Sequence, residues 1–307
     1  MADKSYMFEN NLNIARGYVG EKEYSKALKF FKKAYKSNLG KNDTELIIDI
    51  ALIYDILNYK ELALEKYKEV INLDPEDSRA YYGMGIIYDE LENFDLAIYY
   101  YKKAIEFDEN YDRAYFYLAN VYDEISDKEN AIKCYKKTLE LKPKDLWANA
   151  NLGSIYEELG EYNIAKEYMT KALSVESNNY KILFNMGVIE DKLDNKNEAK
   201  KFYNQSIEIN PYYPYSFLNL AIIYKEKKDL QKAISILSNG IKYNNDTDVL
   251  YYNRCCYYAI IKDFDNALTD LKMSIKLNEH FIDYMKWDDE LIELRKTKKY
   301  NELFECS

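Results

Sequence analysis

Side chains that could bind another polypeptide recur along this chain at intervals of 34 residues. Four asparagines follow one another at that interval, namely Asn151, Asn185, Asn219 and Asn253. Four carboxylates keep the same interval, namely Asp89, Asp123, Glu157 and Asp191. A primary amide both donates and accepts hydrogen bonds, so a row of asparagines can pair with a peptide main chain regardless of its side chains. Because a row of carboxylates attracts basic side chains, both rows predict recognition of a polypeptide.

The residue types that catalysis or metal binding would need are scarce or unsuitably spaced. His280 is the only histidine, and the four cysteines, Cys134, Cys255, Cys256 and Cys306, follow no metal-ligand spacing. The sequence contains no glycine-rich phosphate loop and no Gly-x-Ser-x-Gly turn. We therefore predict no enzyme activity, no cofactor and no metal site. We interpret the cysteines as reduced thiols of a cytosolic protein.

The overall charge restricts the partners further. The 307 residues carry a formal net charge of -10, whereas binding to nucleic acid or to an anionic membrane requires clustered lysine and arginine. The first ten residues contain no apolar run typical of a secretory signal, and no apolar stretch approaches the ~20 residues that span a bilayer. The sequence thus predicts a cytoplasmic protein with protein or peptide partners, and no nucleic-acid or membrane partner.

The 34-residue interval belongs to a repeat that covers nearly the whole chain. One column of alanines marks it: Ala27, Ala63, Ala97, Ala131, Ala165, Ala199, Ala233 and Ala267. With that alanine as position 20, position 8 is small in every repeat, and positions 11 and 24 are mostly large or aromatic. Small residues let helices approach closely while large residues fill the adjoining spaces. Each repeat is therefore expected to form two helices, A at positions 1–14 and B at about 18–31.

This numbering divides the chain into a lead of residues 1–7, eight repeats and a tail of residues 282–307. The repeats are expected at 8–43, 44–77, 78–111, 112–145, 146–179, 180–213, 214–247 and 248–281. The tail carries an apolar stripe: Ile282, Met285, Leu291, Leu294, Leu303 and Phe304. We expect it to form one or two capping helices over the exposed face of the last repeat.

One stretch shows the repeat in its clearest form. Residues 81–88 are Tyr-Tyr-Gly-Met-Gly-Ile-Ile-Tyr, and Ala97, Tyr101 and Ala104 follow. With its columns extending over residues 8–281, the sequence resembles the tetratricopeptide repeat (TPR) family. The resemblance implies an all-α fold in which antiparallel helix pairs form a right-handed superhelical solenoid. It also implies a protein–protein interaction scaffold or adaptor, whose A helices line a concave peptide-binding groove.

The polar columns lie on the helix A surface opposite the core. Positions 2, 6, 9 and 13 point away from the core columns, and positions 5 and 12 lie on the flank. The asparagines occupy position 6, the carboxylates occupy position 12, and position 2 carries basic residues: Arg79, Arg113 and Lys181. This pattern favours an extended partner segment with apolar and basic side chains, and it resembles asparagine ladders of this family. Two structural explanations stay open: asparagine is common at position 6 of the family, and nearby lysines could neutralise the carboxylates.

A second hypothesis is a chaperone adaptor that binds an acidic C-terminal peptide. Some arrays of the family do so with a two-carboxylate clamp of lysine, asparagine and arginine from three successive repeats. The best register here supplies Asn120, Asn151 and Lys181. It places Phe116 where the clamp has lysine and Asn185 where it has arginine, so the clamp would be degenerate.

Overall fold

The computed structural model describes residues 2–305, with the side chains of residues 5–302, and this part of the chain is helical without a β-strand. Cys306 and the side chains of Leu303 and Phe304 lie outside the described residues. The chain forms two compact bodies, an N-terminal body (Met1–Ala148) and a C-terminal body (Asn149–Ser307). The predicted all-α array of helix pairs is confirmed.

The helices follow one another in pairs. The first eight are α1 (Ala2–Gly20), α2 (Tyr24–Tyr35), α3 (Thr44–Ile56), α4 (Lys60–Leu73), α5 (Ser78–Glu90), α6 (Phe94–Phe107), α7 (Asp112–Glu124) and α8 (Lys128–Leu141). The next eight are α9 (Leu146–Glu158), α10 (Tyr162–Val175), α11 (Tyr180–Lys192), α12 (Lys196–Ile209), α13 (Pro214–Glu226), α14 (Leu230–Tyr243), α15 (Asp248–Ile260) and α16 (Phe264–Leu277). Three short helices close the chain: α17 (Phe281–Tyr284), α18 (Ile292–Arg295) and α19 (Lys298–Glu305).

From the second repeat on, helix A covers positions 1–13 and helix B covers positions 17–30, so helix B begins one residue earlier than expected. The reason is a left-handed residue at position 15 of every repeat, with φ between +56° and +77°: Lys22, Asn58, Glu92, Ser126, Gly160, Asp194, Lys228 and Lys262. In the second repeat, for example, the Tyr59 amide donates to the Tyr54 carbonyl at 2.8 Å, and the Asn58 amide donates to the Asp55 carbonyl at 2.8 Å. These bonds satisfy the last carbonyls of helix A and turn the chain at once into helix B.

Small residues at position 8 pack against large residues at position 24, as the columns predict. A Cβ added to Gly85 would lie 2.6 Å from the Tyr101 ring, and one added to Gly187 would lie 2.6 Å from the Tyr203 ring. Position 10 of helix A is also buried, which the sequence analysis did not expect: Ile53, Ile87, Val121, Ile155, Ile189, Ile223 and Tyr257. Within each body an inner A helix, such as α5 or α15, contacts its own B helix and also the B helix before it, so two of its sides are covered.

Both ends of the array differ from the inner repeats. Residues 2–7, expected as a separate lead, belong to α1. In the tail, Met285, Leu291 and Leu294 are buried in the core of the C-terminal body. The Arg295 guanidinium donates to the carbonyls of Met285 and Asp288, at 2.8 and 2.7 Å, and holds this irregular segment together. The tail therefore packs against the last repeat through Met285 and its buried leucines, and Arg295 stabilises the tail itself.

Candidate partner-binding surface

The candidate surface consists of positions 2, 5, 6, 9, 12 and 13 of the A helices, and we call it the A-helix face. In the C-terminal body it is formed by α9, α11, α13 and α15, which carry the four asparagines of position 6. Asn151, Asn185, Asn219 and Asn253 are all half-buried there. The ladder predicted from the 34-residue spacing thus lies within one body, whereas Asp89 and Asp123 belong to the other.

The amides of Asn185, Asn219 and Asn253 donate hydrogen bonds inside the protein, and their acceptors differ. The Asn185 amide donates to the Ser154 hydroxyl at 3.3 Å. The Asn219 amide donates to the Tyr203 hydroxyl at 3.3 Å, and the Asn253 amide donates to a main-chain carbonyl of its own helix at 2.9 Å. Because an amide has two donor hydrogens and an accepting oxygen, one such bond leaves further hydrogen-bonding capacity for a partner.

Buried tyrosines at position 24 of the B helices form hydrogen bonds with polar residues of this face. The sequence columns did not predict these bonds. Besides Tyr203, the Tyr101 hydroxyl donates to Asp89 at 3.3 Å, and the Tyr135 hydroxyl donates to Asn120 at 2.5 Å. All three rings are fully buried, and a buried tyrosine hydroxyl requires a polar partner. The signal was available in the sequence, because a purely packing column would have no need of tyrosine rather than phenylalanine or leucine.

The acidic column at position 12 is neutralised in alternate repeats. Lysine occupies position 17 in the second, fourth and sixth repeats, where Lys60 contacts Asp55, Lys128 contacts Asp123 at 2.6 Å, and Lys196 contacts Asp191 at 2.8 Å. Lys60 and Lys196 also contact a glutamate at position 13 of the following repeat. In these repeats the carboxylates are structural partners of the helix B lysine, so the neutralisation that the sequence analysis left open does occur there.

The third and fifth repeats have Phe94 and Tyr162 at position 17, so no lysine stands there beside Asp89 or Glu157. Burial raises the pKa of Asp89, with a further increase from Glu90 and Glu124 and an opposing hydrogen bond from Tyr101. Burial also raises the pKa of Glu157, which Lys192 lowers and Glu158 raises. No Lys or Arg nitrogen of the described residues lies within 4 Å of the Asp89 or Glu157 carboxylate.

A cleft of about 300 Å³ on the A-helix face of the C-terminal body contains Glu157 and Asn185 together. Met169, Phe184 and Val188 supply its apolar wall, and Ser154 and Glu158 complete the lining. The cleft therefore combines an amide that can bind a main chain, a carboxylate with no ion-pair partner among the described residues, and an apolar surface. Of the predicted site residues, these two are the ones that the structure brings into one cleft of the C-terminal body.

The basic residues of position 2 have different surroundings. The Arg79 guanidinium binds both carboxylate oxygens of the buried Asp77, at 3.0 and 2.6 Å, so it belongs to the start of α5. Arg113 is exposed and lines a second cleft, of about 270 Å³, in the N-terminal body. Lys181 is exposed at the start of α11. Of these three, Arg79 is already held by an intramolecular bidentate ion pair.

Three aromatic residues of position 5, Tyr82, Phe184 and Tyr252, pack against the aromatic residue at position 34 of the same repeat. Ring centroids lie 5.1 Å apart for Phe184 and Tyr213 and 4.4 Å apart for Tyr252 and Phe281. Tyr252 is buried, and its hydroxyl donates to Asp288 of the tail at 2.8 Å. The tail therefore covers the flank of the A-helix face at the last repeat.

The cysteine thiols in the part of the chain that the structure describes show no activation. Burial raises the pKa of the Cys134 thiol to about 11, and it raises the pKa of the buried Cys255 and Cys256 thiols as well. A thiol with a raised pKa is protonated at neutral pH and is a poor nucleophile. Among the described residues, no three His, Cys, Asp or Glu side chains form a group that could hold a metal ion.

The sequence of helix pairs and the polar A-helix face define the class of the protein. The tetratricopeptide repeat family matches residues 44–77, 78–111, 112–145, 148–179, 180–213 and 202–235, which is more than half of the chain. The chain therefore belongs to the tetratricopeptide repeat family. Membership supports a role as a protein–protein interaction scaffold, and such repeats are typically not catalytic.

Three solved structures illustrate the similarity of fold. YrrB, described as a TPR protein with an unusual peptide-binding site, is 23% identical, with a TM-score of 0.53 over 61% of this chain and 95% of its own. Pseudomonas aeruginosa PilF is 16% identical, with a TM-score of 0.61 over 74% and 98% of the two chains. The Cut9–Hcn1 structure of APC/C is 16% identical, with a TM-score of 0.56 over 89% and 52%. A comparison with curated proteins finds no match. Over residues 2–305, no helix has both the length and the apolar character to cross a membrane.

Proposed function

We propose that this protein is an interaction scaffold that binds an extended partner segment on the A-helix face of its C-terminal body, with a basic side chain of the partner in the cleft at Glu157. The proposal rests on one observation, the half-buried Glu157 carboxylate beside Asn185 in an apolar-walled cleft. A carboxylate in such a place loses hydration, and a lysine or arginine of the partner would compensate for that loss. The aliphatic part of the same basic side chain would pack on Phe184 and Val188.

Main-chain recognition supplies the rest of the proposed interaction. The Asn185 amide has one donor hydrogen and its oxygen in addition to the bond to Ser154, and an extended peptide presents one amide and one carbonyl at each residue. Asn151 and Asn219 stand at the equivalent position of the repeats on either side. A segment that pairs with several of these amides is selected for its extended main chain, while Glu157 selects for a basic side chain.

The carboxylate-clamp alternative gains no support from the contacts. Phe116 stands where the clamp requires lysine, and its ring packs edge-on against Tyr135 at 5.8 Å. The oxygen of Asn120 already accepts the hydrogen bond of the Tyr135 hydroxyl. An acidic C-terminus would therefore meet little positive charge at this register.

The test is a selection of random dodecamer peptides displayed on phage, carried out on the wild-type chain and on the double variant Asn185→Ala/Glu157→Gln. Wild type should enrich peptides that combine basic and apolar residues, and the double variant should fail to enrich them. A synthetic peptide from this class should lose roughly tenfold or more in affinity on the double variant, because a charge-assisted contact and an amide contact are removed together.

The matched control is Asn178→Ala/Glu167→Gln, which makes the same chemical changes at exposed residues outside the A-helix face. The control should bind like the wild type. If wild type enriches no basic peptides, or if the double variant enriches the same peptides as the control, the proposed site is wrong.

A further inference from the structure

A second cleft lies on the opposite side of the C-terminal body, along its B helices. It has a volume of about 480 Å³ and runs between α12 and α14, over the surface of α13. Ile207, Leu220 and Ile236 contribute apolar lining, and Asn204, Ser235 and Ser238 contribute polar lining. Lys232 and Lys242, both exposed, stand near the two ends of α14 and also border the cleft. We call this region the α12–α14 cleft.

The sequence explains why a cleft opens at this place. Position 25 of helix B is lysine in the first four repeats: Lys32, Lys68, Lys102 and Lys136. In the sixth and seventh repeats it is Asn204 and Ser238, which are shorter and leave space between the two neighbouring B helices. The shorter side chains at position 25 of two adjacent repeats therefore leave a groove with hydrogen-bonding side chains on both walls.

Positive charge accumulates beside this cleft although the protein as a whole is acidic. The neighbouring Lys200 ammonium lowers the pKa of Lys227. The Lys200 ammonium also lies 5.4 Å from the ring centroid of Tyr224, which lines the cleft. Two adjacent ammonium groups repel each other, and a bound anion would relieve the repulsion.

Within the described part of the chain, these lysines lack the carboxylate partners that many other lysines have. Among the described residues, no carboxylate oxygen lies within 4 Å of the ammonium groups of Lys200, Lys227, Lys232 or Lys242. The closest acidic neighbour of Lys232 in sequence, Asp229, accepts the Lys232 main-chain amide at 3.1 Å as the N-cap of α14. By contrast, Lys196 on the same helix as Lys200 contacts both Asp191 and Glu226.

We propose that the α12–α14 cleft binds an extended acidic segment of a partner protein, at a site separate from the A-helix face. Lys232 and Lys242 are ten residues apart on one helix, which corresponds to about 15 Å at 1.5 Å per residue. An extended chain covers that distance in four to five residues at about 3.3 Å each. The segment should therefore carry two carboxylates about four residues apart, with an apolar residue between them that contacts Ile207 and Ile236.

The lining of the cleft suits an acidic protein segment better than a nucleic acid or a lipid bilayer. Its small serine and asparagine side chains and its apolar lining suit a narrow polypeptide with hydrogen-bonding groups and an apolar side chain. A phosphate backbone is bound by clusters of basic side chains over a longer surface, and a lipid bilayer requires a broad basic face. The net charge of -10 opposes both of those larger polyanions.

The experiment uses the same dodecamer library on the full chain, with the variant Lys232→Glu/Lys242→Glu. Wild type should enrich a class of peptides with two acidic residues three to five positions apart, and the variant should not. A synthetic peptide of this class should bind the variant roughly tenfold or more weakly, and its affinity for wild type should fall with added salt. The matched control is Lys272→Glu/Lys276→Glu, which changes the same charge at exposed positions of α16 and should bind normally.

The outcomes separate this proposal from the one for the A-helix face. Loss of the basic peptide class on Asn185→Ala/Glu157→Gln concerns the A-helix face alone, and loss of the acidic class on Lys232→Glu/Lys242→Glu concerns the α12–α14 cleft alone. The proposal is overturned if no acidic class appears, or if both lysine variants lose it equally. It is also overturned if single-stranded RNA or phosphatidylserine vesicles bind wild type through Lys232 and Lys242 more tightly than the acidic peptide.

Discussion

Arg254 and Asp270 form a buried ion pair in the last full repeat, and its removal offers a quantitative test of the packing. The Arg254 guanidinium donates to both Asp270 carboxylate oxygens at 2.7 Å and to the Ser238 hydroxyl at 2.9 Å. The Asp270 side chain is 5% exposed and that of Arg254 is 17% exposed. Each group is therefore held away from water and depends on the other for its compensation.

Removal of one partner should cost far more than removal of both. Arg254→Leu leaves the Asp270 carboxylate without its cation, and Asp270→Ile leaves the guanidinium without its anion. A buried charge deprived of its partner costs about 3–5 kcal/mol of unfolding free energy. The same two positions in the seventh repeat are Leu220 and Ile236, so the double variant Arg254→Leu/Asp270→Ile copies a pair that already occurs in this fold.

We expect the double variant to unfold within about 2 kcal/mol of the wild type, because replacement of a buried ion pair by apolar residues is often nearly neutral. The coupling between the two substitutions would then be about 3 kcal/mol or more, well above the additivity error of distant sites. The assay is urea unfolding followed by far-ultraviolet circular dichroism at pH 7. Single variants that each cost less than about 1 kcal/mol, or a double variant whose cost equals the sum of the two, would refute this account.

Three further predictions follow from the turns, the packing and the cleft. Gly160→Ala should lower the unfolding free energy by about 1 kcal/mol in urea titrations, because φ is +77° there and the added Cβ meets no atom within 4 Å, while Ser126→Gly should raise it by a similar amount. Gly187→Ala should cost about 1–3 kcal/mol in the same titration, because its Cβ would lie 2.6 Å from the Tyr203 ring, and a cost below that of Gly160→Ala would contradict the packing. Binding of a basic peptide should weaken as pH falls, starting above the usual titration range of glutamate, because burial raises the Glu157 pKa and protonation removes the attracting charge. Titration calorimetry from pH 7 to pH 4 would show this loss, and Glu157→Gln should make the affinity nearly independent of pH over that range.

The columns of the repeat were sufficient to predict the helix pairs and the contact between positions 8 and 24. A period of 34 residues with small residues at fixed places has one simple physical solution, which is close packing of helix on helix. The conformation of the turn between helices A and B could not be predicted from its residue types. Residues as different as Lys22, Asn58 and Glu92 take the same left-handed conformation, because the main-chain hydrogen bonds of the turn compensate for the strain.

Burial of position 10 could not be predicted from the periodicity of one helix. A single amphipathic helix shows one apolar stripe, whereas inner A helices such as α5 and α15 pack against two B helices and bury a second side. The role of Arg254 could not be predicted from the sequence of its own helix either. Position 7 is a large apolar residue in the other seven repeats, and only the three-dimensional contact with Asp270 explains how Arg254 is accommodated there.

For the candidate site, the sequence predicted the surface, and the structure shows which of its carboxylates have a lysine partner. The 34-residue spacing alone placed the asparagines and carboxylates on one side of the A helices, because residues at the same position of successive repeats occupy equivalent places. Which carboxylates are neutralised depends on whether a lysine at position 17 reaches them, and this is a matter of side-chain distance across a turn. Asp191 has such a lysine and Glu157 does not. The sequence by itself determined the fold class and the face of the helices. The tertiary structure alone decided that Glu157 and Asn185 share a cleft, because that depends on how adjacent repeats pack.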